Sequence, residues 1–229
     1  SSPNGGETWS SGTSKTVSWK KQEISSGDTQ WVYLYVNGNY SSTLAAGLAS
    51  TVTSATITVP EVDTTTAEIR VGSWSGSAWT AFDFSDSTFT INDVEPPAPN
   101  PMTWAVDPHA VSTSAMAMTA TVATDPTGPI QYFHGWNTDS PTGGLGQTPT
   151  GWVASNSHTD GGLGVNEQYC YRVWAQDGNG NFDAPSPEVC KYTHAKDVQP
   201  LAYSGITQTS VTVNWGHNGN PASNPVTTY

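Results

Sequence analysis

Trp31-Val32-Tyr33-Leu34-Tyr35-Val36, followed at once by Asn37-Gly38-Asn39-Tyr40, decides the fold class of this chain. Successive side chains of an extended strand point to opposite faces, so Val32, Leu34 and Val36 fall on one side and Trp31, Tyr33 and Tyr35 on the other. An Asn-Gly pair tolerates two positive φ angles and closes a two-residue hairpin, which predicts a partner strand over residues 40–44. The same short alternation, broken by turn chemistry and without a sustained helical period, recurs in both directions. It predicts strands at 16–19, 55–59, 67–71 and 88–91, with Pro60 and the Gly/Ser-rich residues 72–78 as loops. The expectation is an all-β chain.

Composition agrees. Only 11% of the 229 residues are charged, well below the usual quarter, while ten Trp and nine Tyr supply the large apolar areas that a disordered chain lacks. A net charge of -12 opposes binding to a phosphate backbone, so no nucleic acid partner is expected. There is no apolar run of the roughly 20 residues needed for a membrane span, and no basic start with an apolar core of the signal-peptide kind. A chain that begins at Ser1 without methionine reads as processed or cut from something longer, so missing targeting signals do not argue for the cytoplasm.

Cys170 and Cys190 are the whole thiol inventory, too few for a cysteine-built zinc site without histidine. A disulfide is the expectation, with two buried free thiols as the alternative. Closing a loop of about 20 residues stabilises by roughly 3 kcal/mol in the chain-entropy picture, and such bonds persist outside reducing compartments.

Pro3-Asn4-Gly5-Gly6-Glu7-Thr8-Trp9, Thr16-Val17-Ser18-Trp19 and Phe84-Ser85-Asp86-Ser87-Thr88-Phe89-Thr90-Ile91 together resemble an Ig-like module. It is the module of bacterial extracellular surface proteins and of fungal Ser/Thr-rich, cell-wall-associated proteins. The resemblance covers residues 1–94 and implies a β-sandwich with a non-catalytic extracellular role. Glu95-Pro96-Pro97-Ala98-Pro99-Asn100-Pro101 reads as a stiff proline-rich linker, residues 95–101. Beyond it, residues 115–123 alternate strictly, 130–136 form another strand candidate, and Tyr169, Tyr171, Val173 and Ala175 share one face.

Leu163-Gly164-Val165-Asn166-Glu167-Gln168-Tyr169-Cys170-Tyr171-Arg172-Val173 resembles the sixth strand of a fibronectin type III domain, here residues 102–196. That resemblance implies a tyrosine corner at Tyr169, whose hydroxyl would bond back to nearby backbone. It also puts Cys170 and Cys190 on the last two strands, which pair side by side. The Gly/Thr/Pro-rich insert at 141–151 departs from the pattern. Residues 197–229, with Pro200, Ile206 and Trp215, resemble the first strands of another such domain, cut short. The expected architecture is therefore tandem β-sandwiches, Ig-like then fibronectin type III-like, with an incomplete third.

Two constellations suggest binding. The outward row Trp31, Tyr33, Tyr35 offers flat rings that stack on sugar faces, unless neighbouring strands or residues 72–83 cover it. Asp177-Gly178-Asn179-Gly180-Asn181-Phe182-Asp183, with Glu188 at the twelfth position, is similar to a calcium loop but lacks its glycine at position six. Asp125 would join Asp177, Asn179, Asn181 and Asp183 around one calcium ion; ordinary turn chemistry is the alternative. His109, His134, His158, His194 and His217 lack metalloprotease spacing, and the acidic pair Asp83 and Asp86 has no obvious cleft to flank. The expectation is a non-catalytic structural or adhesive segment of a large secreted or cell-surface protein, partnered by other copies or neighbouring domains. A carbohydrate-binding accessory region of a secreted polysaccharide-degrading enzyme is the alternative.

Overall fold

The computed structural model describes residues 2–20, 25–136 and 151–221, and among these it has sixteen strands and no helix. Contacts separate two compact units, one built on residues up to Glu95 and one on residues from Pro96 onward.

The first unit holds β1 (Thr8–Ser10), β2 (Ser14–Ser18), β3 (Thr29–Val36), β4 (Asn39–Ala49), β5 (Ser54–Thr58), β6 (Thr64–Trp74), β7 (Trp79–Phe84) and β8 (Phe89–Asn92). A large sheet runs β1-β8-β6-β3-β4, and β2 with β5 forms a small one. The long β6 pairs with β8 over its first residues and with β7 over Arg70 to Trp74. Alternation on β3 does what the sequence predicts: Val32 and Leu34 are fully buried with Ile69, Phe89 and Ile91, against Val17, Ile57 and Val59 of the small sheet's side. Asn37 at φ 52° and Gly38 at φ 72° make the predicted hairpin turn.

The opening motif has a local cause. The Glu7 carboxylate accepts the N–H groups of Asn4 and Gly5, both at 2.7 Å. Burial would raise its pKa, but these backbone bonds outweigh it and the group stays below its ordinary value. Gly5, at φ 117°, lies so close to Ser87 that an added Cβ would sit 2.3 Å from the serine's own Cβ.

One expectation fails here. Residues 72–78 are not all loop, because β6 continues through Gly72 to Trp74 and only Ser75 to Ala78 form the turn into β7. Gly72, paired with Trp31 on one side and Phe82 on the other, is tolerated inside the strand because the Trp79 indole fills the space its side chain would take.

The second unit holds β9 (Trp104–Ser112), β10 (Ala115–Ala120), β11 (Gln131–Trp136), β12 (Ser157–Gly161), β13 (Gln168–Gln176), β14 (Val189–Tyr192), β15 (Gln199–Ser204) and β16 (Thr212–Gly216). Sheets β12-β10-β9 and β11-β13-β14 enclose Met102, Met116, Met118, Ala120, Tyr132, Tyr171 and Val173. The proline-rich stretch is tied into this unit, since Ala98 and Thr124 exchange backbone hydrogen bonds of 2.9 and 3.0 Å. Apart from Gly151, the insert at 141–151 lies outside the described residues. Tyr169 makes the corner that the resemblance implies, its hydroxyl accepting the Gly164 N–H at 2.7 Å. Trp174, on the outward side of β13, is nonetheless buried, because Phe133 and Trp152 build a second aromatic layer there.

Candidate functional site

Pairing brings eight aromatic side chains and one cation to the outer face of β4, β3, β6 and β7. Tyr35 stands opposite Tyr40, Tyr33 opposite Arg70, and Arg70 opposite Phe84; Trp31 faces Gly72, which faces Phe82, and Trp74 faces Trp79. The predicted row is thus only the middle of a wider surface. Trp31 stacks on Tyr33 at 6.2 Å, and Tyr33 meets Tyr40 and Trp79 edge-on, both at 5.8 Å. Tyr35 meets Phe84 edge-on at 5.1 Å.

Arg70 sits among the rings. Its guanidinium carbon lies 4.4 Å from the Phe82 centroid, 5.1 Å from Trp79 and 6.0 Å from Tyr33, and one N–H reaches the Tyr35 hydroxyl at 3.4 Å. No carboxylate pairs with it among the described residues. Burial pushes the Tyr33 hydroxyl above its usual pKa, and the Arg70 charge partly opposes this. The strand β7 that completes the face is held by Thr80, whose hydroxyl donates to Asp28 at 2.5 Å.

Neighbouring strands cover the predicted row only in part. Trp31, Tyr33 and Tyr35 are half-buried by their neighbours, while Tyr40 is 57% and Phe82 61% exposed. Tyr40, Trp74, Trp79, Phe82, Phe84 and Arg70 were missed from sequence. The signal lay in Trp79-Thr80-Ala81-Phe82-Asp83-Phe84, which places Phe82 and Phe84 at period two.

No family model matches the chain. Nor does any curated protein match it in sequence. Among solved structures, it is similar to the FN1–FN3 domains of chicken CNTN1, with 16% identity and a TM-score of 0.34, over 82% of this chain and 65% of that one. Domains A168–A170 of titin give 15% identity and a TM-score of 0.40, over 84% and 63% respectively. The fibronectin type III domain of human fibronectin type III domain containing protein 3 gives 17% identity and a TM-score of 0.35, over 44% and 90%. The chain therefore spans just under two thirds of the CNTN1 and titin fragments.

In the second unit, Asp125 and Asp177 are brought together, their carboxylate oxygens within 4.8 Å. The Asp177 carboxylate also serves its own loop. One oxygen accepts the N–H groups of Asn179 and Asn181 at 2.9 and 2.8 Å, and the other accepts the Asn181 side-chain amide at 2.7 Å. Asp183 turns inward, 2% exposed, with one oxygen accepting the Ala175 N–H at 2.9 Å. Glu188 does not join the loop; it pairs with Arg172 at 3.2 Å on the adjacent strand. Cys170 and Cys190 stand directly opposite on β13 and β14 and are bonded.

His134 and His158 stack at 5.4 Å, and burial pushes His134 down to about 4, leaving it a neutral packing group that contacts the Asn156 carbonyl at 3.2 Å. Asp83 and Asp86, expected to have no cleft, do line one of about 360 Å³ with Trp19, Lys20 and Gln30. Its Gln30 is already spent on structure, accepting from the Trp19 indole and donating to the Ala49 and Val52 carbonyls.

Proposed function

We propose that this chain is a non-catalytic structural and adhesive segment of a secreted or cell-surface multi-domain protein, whose modules associate with neighbouring modules or other copies. The observation that carries the reading is the β15–β16 hairpin. Among the described residues its strands pair only with each other, and Leu201, Tyr203, Val211, Val213 and Trp215 are all about half exposed or more. An isolated hairpin is marginal in water, and an apolar strand face with open edges is a template for another strand. The Cys170–Cys190 bond supports an oxidising compartment. Light scattering over a concentration series tests the association: the full chain should grow in mass, and Val213→Lys with Trp215→Ser should keep it monomeric. A monomeric full chain with a protease-resistant hairpin would overturn it.

A second reading, a carbohydrate-binding accessory region, is favoured by one observation. Exposed rings of Tyr40 and Phe82 extend the half-buried row of β3 into a surface far larger than three side chains.

A further inference from the structure

We infer that the outer face of β4, β3, β6 and β7 binds a neutral polysaccharide of β-linked hexopyranoses. This rests on the reading of the chain as a non-catalytic adhesive segment and names what its first unit adheres to. The face crosses four neighbouring strands from Tyr40 to Phe82, about 14 Å at the usual strand spacing. A pyranose ring is about as wide as a phenyl ring, so a surface of this length takes consecutive units of a chain rather than one sugar.

Ring geometry favours sugar over a protein partner. Trp31 lies nearly parallel to Tyr33, but the neighbouring pairs Tyr33–Tyr40, Tyr33–Trp79, Tyr35–Tyr40 and Tyr35–Phe84 stand at 70° to 82°, so ring faces alternate with ring edges instead of forming a smooth apolar patch. A hexopyranose with equatorial hydroxyls has the matching anatomy, with C–H groups on its faces and hydroxyls around its rim, and equatorial β-linkages extend such rings into a ribbon that can lie along a row crossing four strands. The faces stack on the exposed rings of Tyr40 and Phe82. Tyr40, whose hydroxyl lies 3.1 Å from that of Thr43, supplies rim hydrogen bonds, as does the Arg70 guanidinium, which has no carboxylate partner among the described residues. The rings are already held by one another and by Arg70, so little side-chain freedom is lost on binding.

Charge selects among the remaining occupants. Between Ser1 and Glu95 there are ten acidic residues against four basic ones. A second copy docking through the same face would set Arg70 against Arg70 and one acidic unit against another, and an acidic polysaccharide would meet the same repulsive field. A neutral glycan meets neither.

The test uses the full chain, titrated calorimetrically with cello- and laminari-oligosaccharides, with dextran and polygalacturonate as comparisons. The expected result is binding to at least one β-linked oligosaccharide and to neither comparison. Phe82→Ala and Tyr40→Ala should each weaken it about tenfold while the unit stays folded, with only a small fall in melting temperature from the lost ring contacts, since both rings are largely exposed. No binding by the wild type, equal binding by both variants, a preference for polygalacturonate, or self-association lost in Phe82→Ala would each overturn the inference. Release of new reducing ends from a bound oligosaccharide would instead overturn the non-catalytic reading on which it rests.

Discussion

The six-membered ring of the Trp79 indole occupies the space where Gly72 would carry a side chain. A Cβ added at Gly72 would lie 3.0 Å from Cζ3 and 3.1 Å from Cε3 of that indole. Gly72 has an ordinary strand conformation, so the constraint is space rather than backbone. Gly72→Val should therefore push Trp79 off Arg70 and change the near-ultraviolet circular dichroism. Stability should move by less than about 1 kcal/mol, because valine's better strand propensity offsets the lost ring contact. A variant with wild-type aromatic dichroism would show that Trp79 is not held there.

Tyr169→Phe removes the acceptor of the Gly164 N–H and leaves that donor part-buried without its partner. The expected loss is about 1–2 kcal/mol, read as a lower urea midpoint for the second unit. The ring itself, 8% exposed, should keep its packing, so the spectrum of the folded state should not change.

Cys170 and Cys190 are 20 residues apart, and replacing both by serine should lower stability by about 3 kcal/mol through the unfolded chain. Peptide mapping without reductant should recover the two cysteines in one linked fragment. Reduction should lower the melting temperature of the wild type and leave the double variant where it is.

Two buried groups pull the pH dependence of the second unit in opposite directions. Burial pushes Asp183 up to about 7 from 3.8, so its contribution is fully present below about pH 4 and is lost as pH rises towards 7. His134 is pushed down to about 4 from 6.5, so its contribution is present above 6.5 and lost as pH falls to 4. The slopes oppose each other between these limits and the wild type should vary little. Asp183→Asn should unmask the histidine limb, with stability rising from pH 4 to 6.5. At pH 8 its melting temperature should exceed that of the wild type by roughly 5 °C. Parallel melting curves at pH 4 and pH 8 would refute the assignment.

The sandwich strands were legible because alternation and an Asn-Gly turn are local signals, and the Tyr169 corner because Leu163 to Val173 resembles a fibronectin type III strand. The outer aromatic face was legible only at its centre. Residues 72–78 carry the composition of a loop, and what turns part of them into strand is pairing with β3 and β7, which no local window contains. Glu188 has the spacing of a calcium ligand and instead meets Arg172 across the β13–β14 pair.

The sequence by itself determined that the chain is all-β, which side of β3 is core, and that aromatic residues would crowd the other side. Tertiary structure alone decided which of those rings stay open. Tyr33 is closed in by Trp79 and Arg70 while Phe82 remains exposed, although both belong to the same face. The reason is physical: the direction of a side chain follows from its own strand's period of two, but its burial depends on what distant strands place beside it.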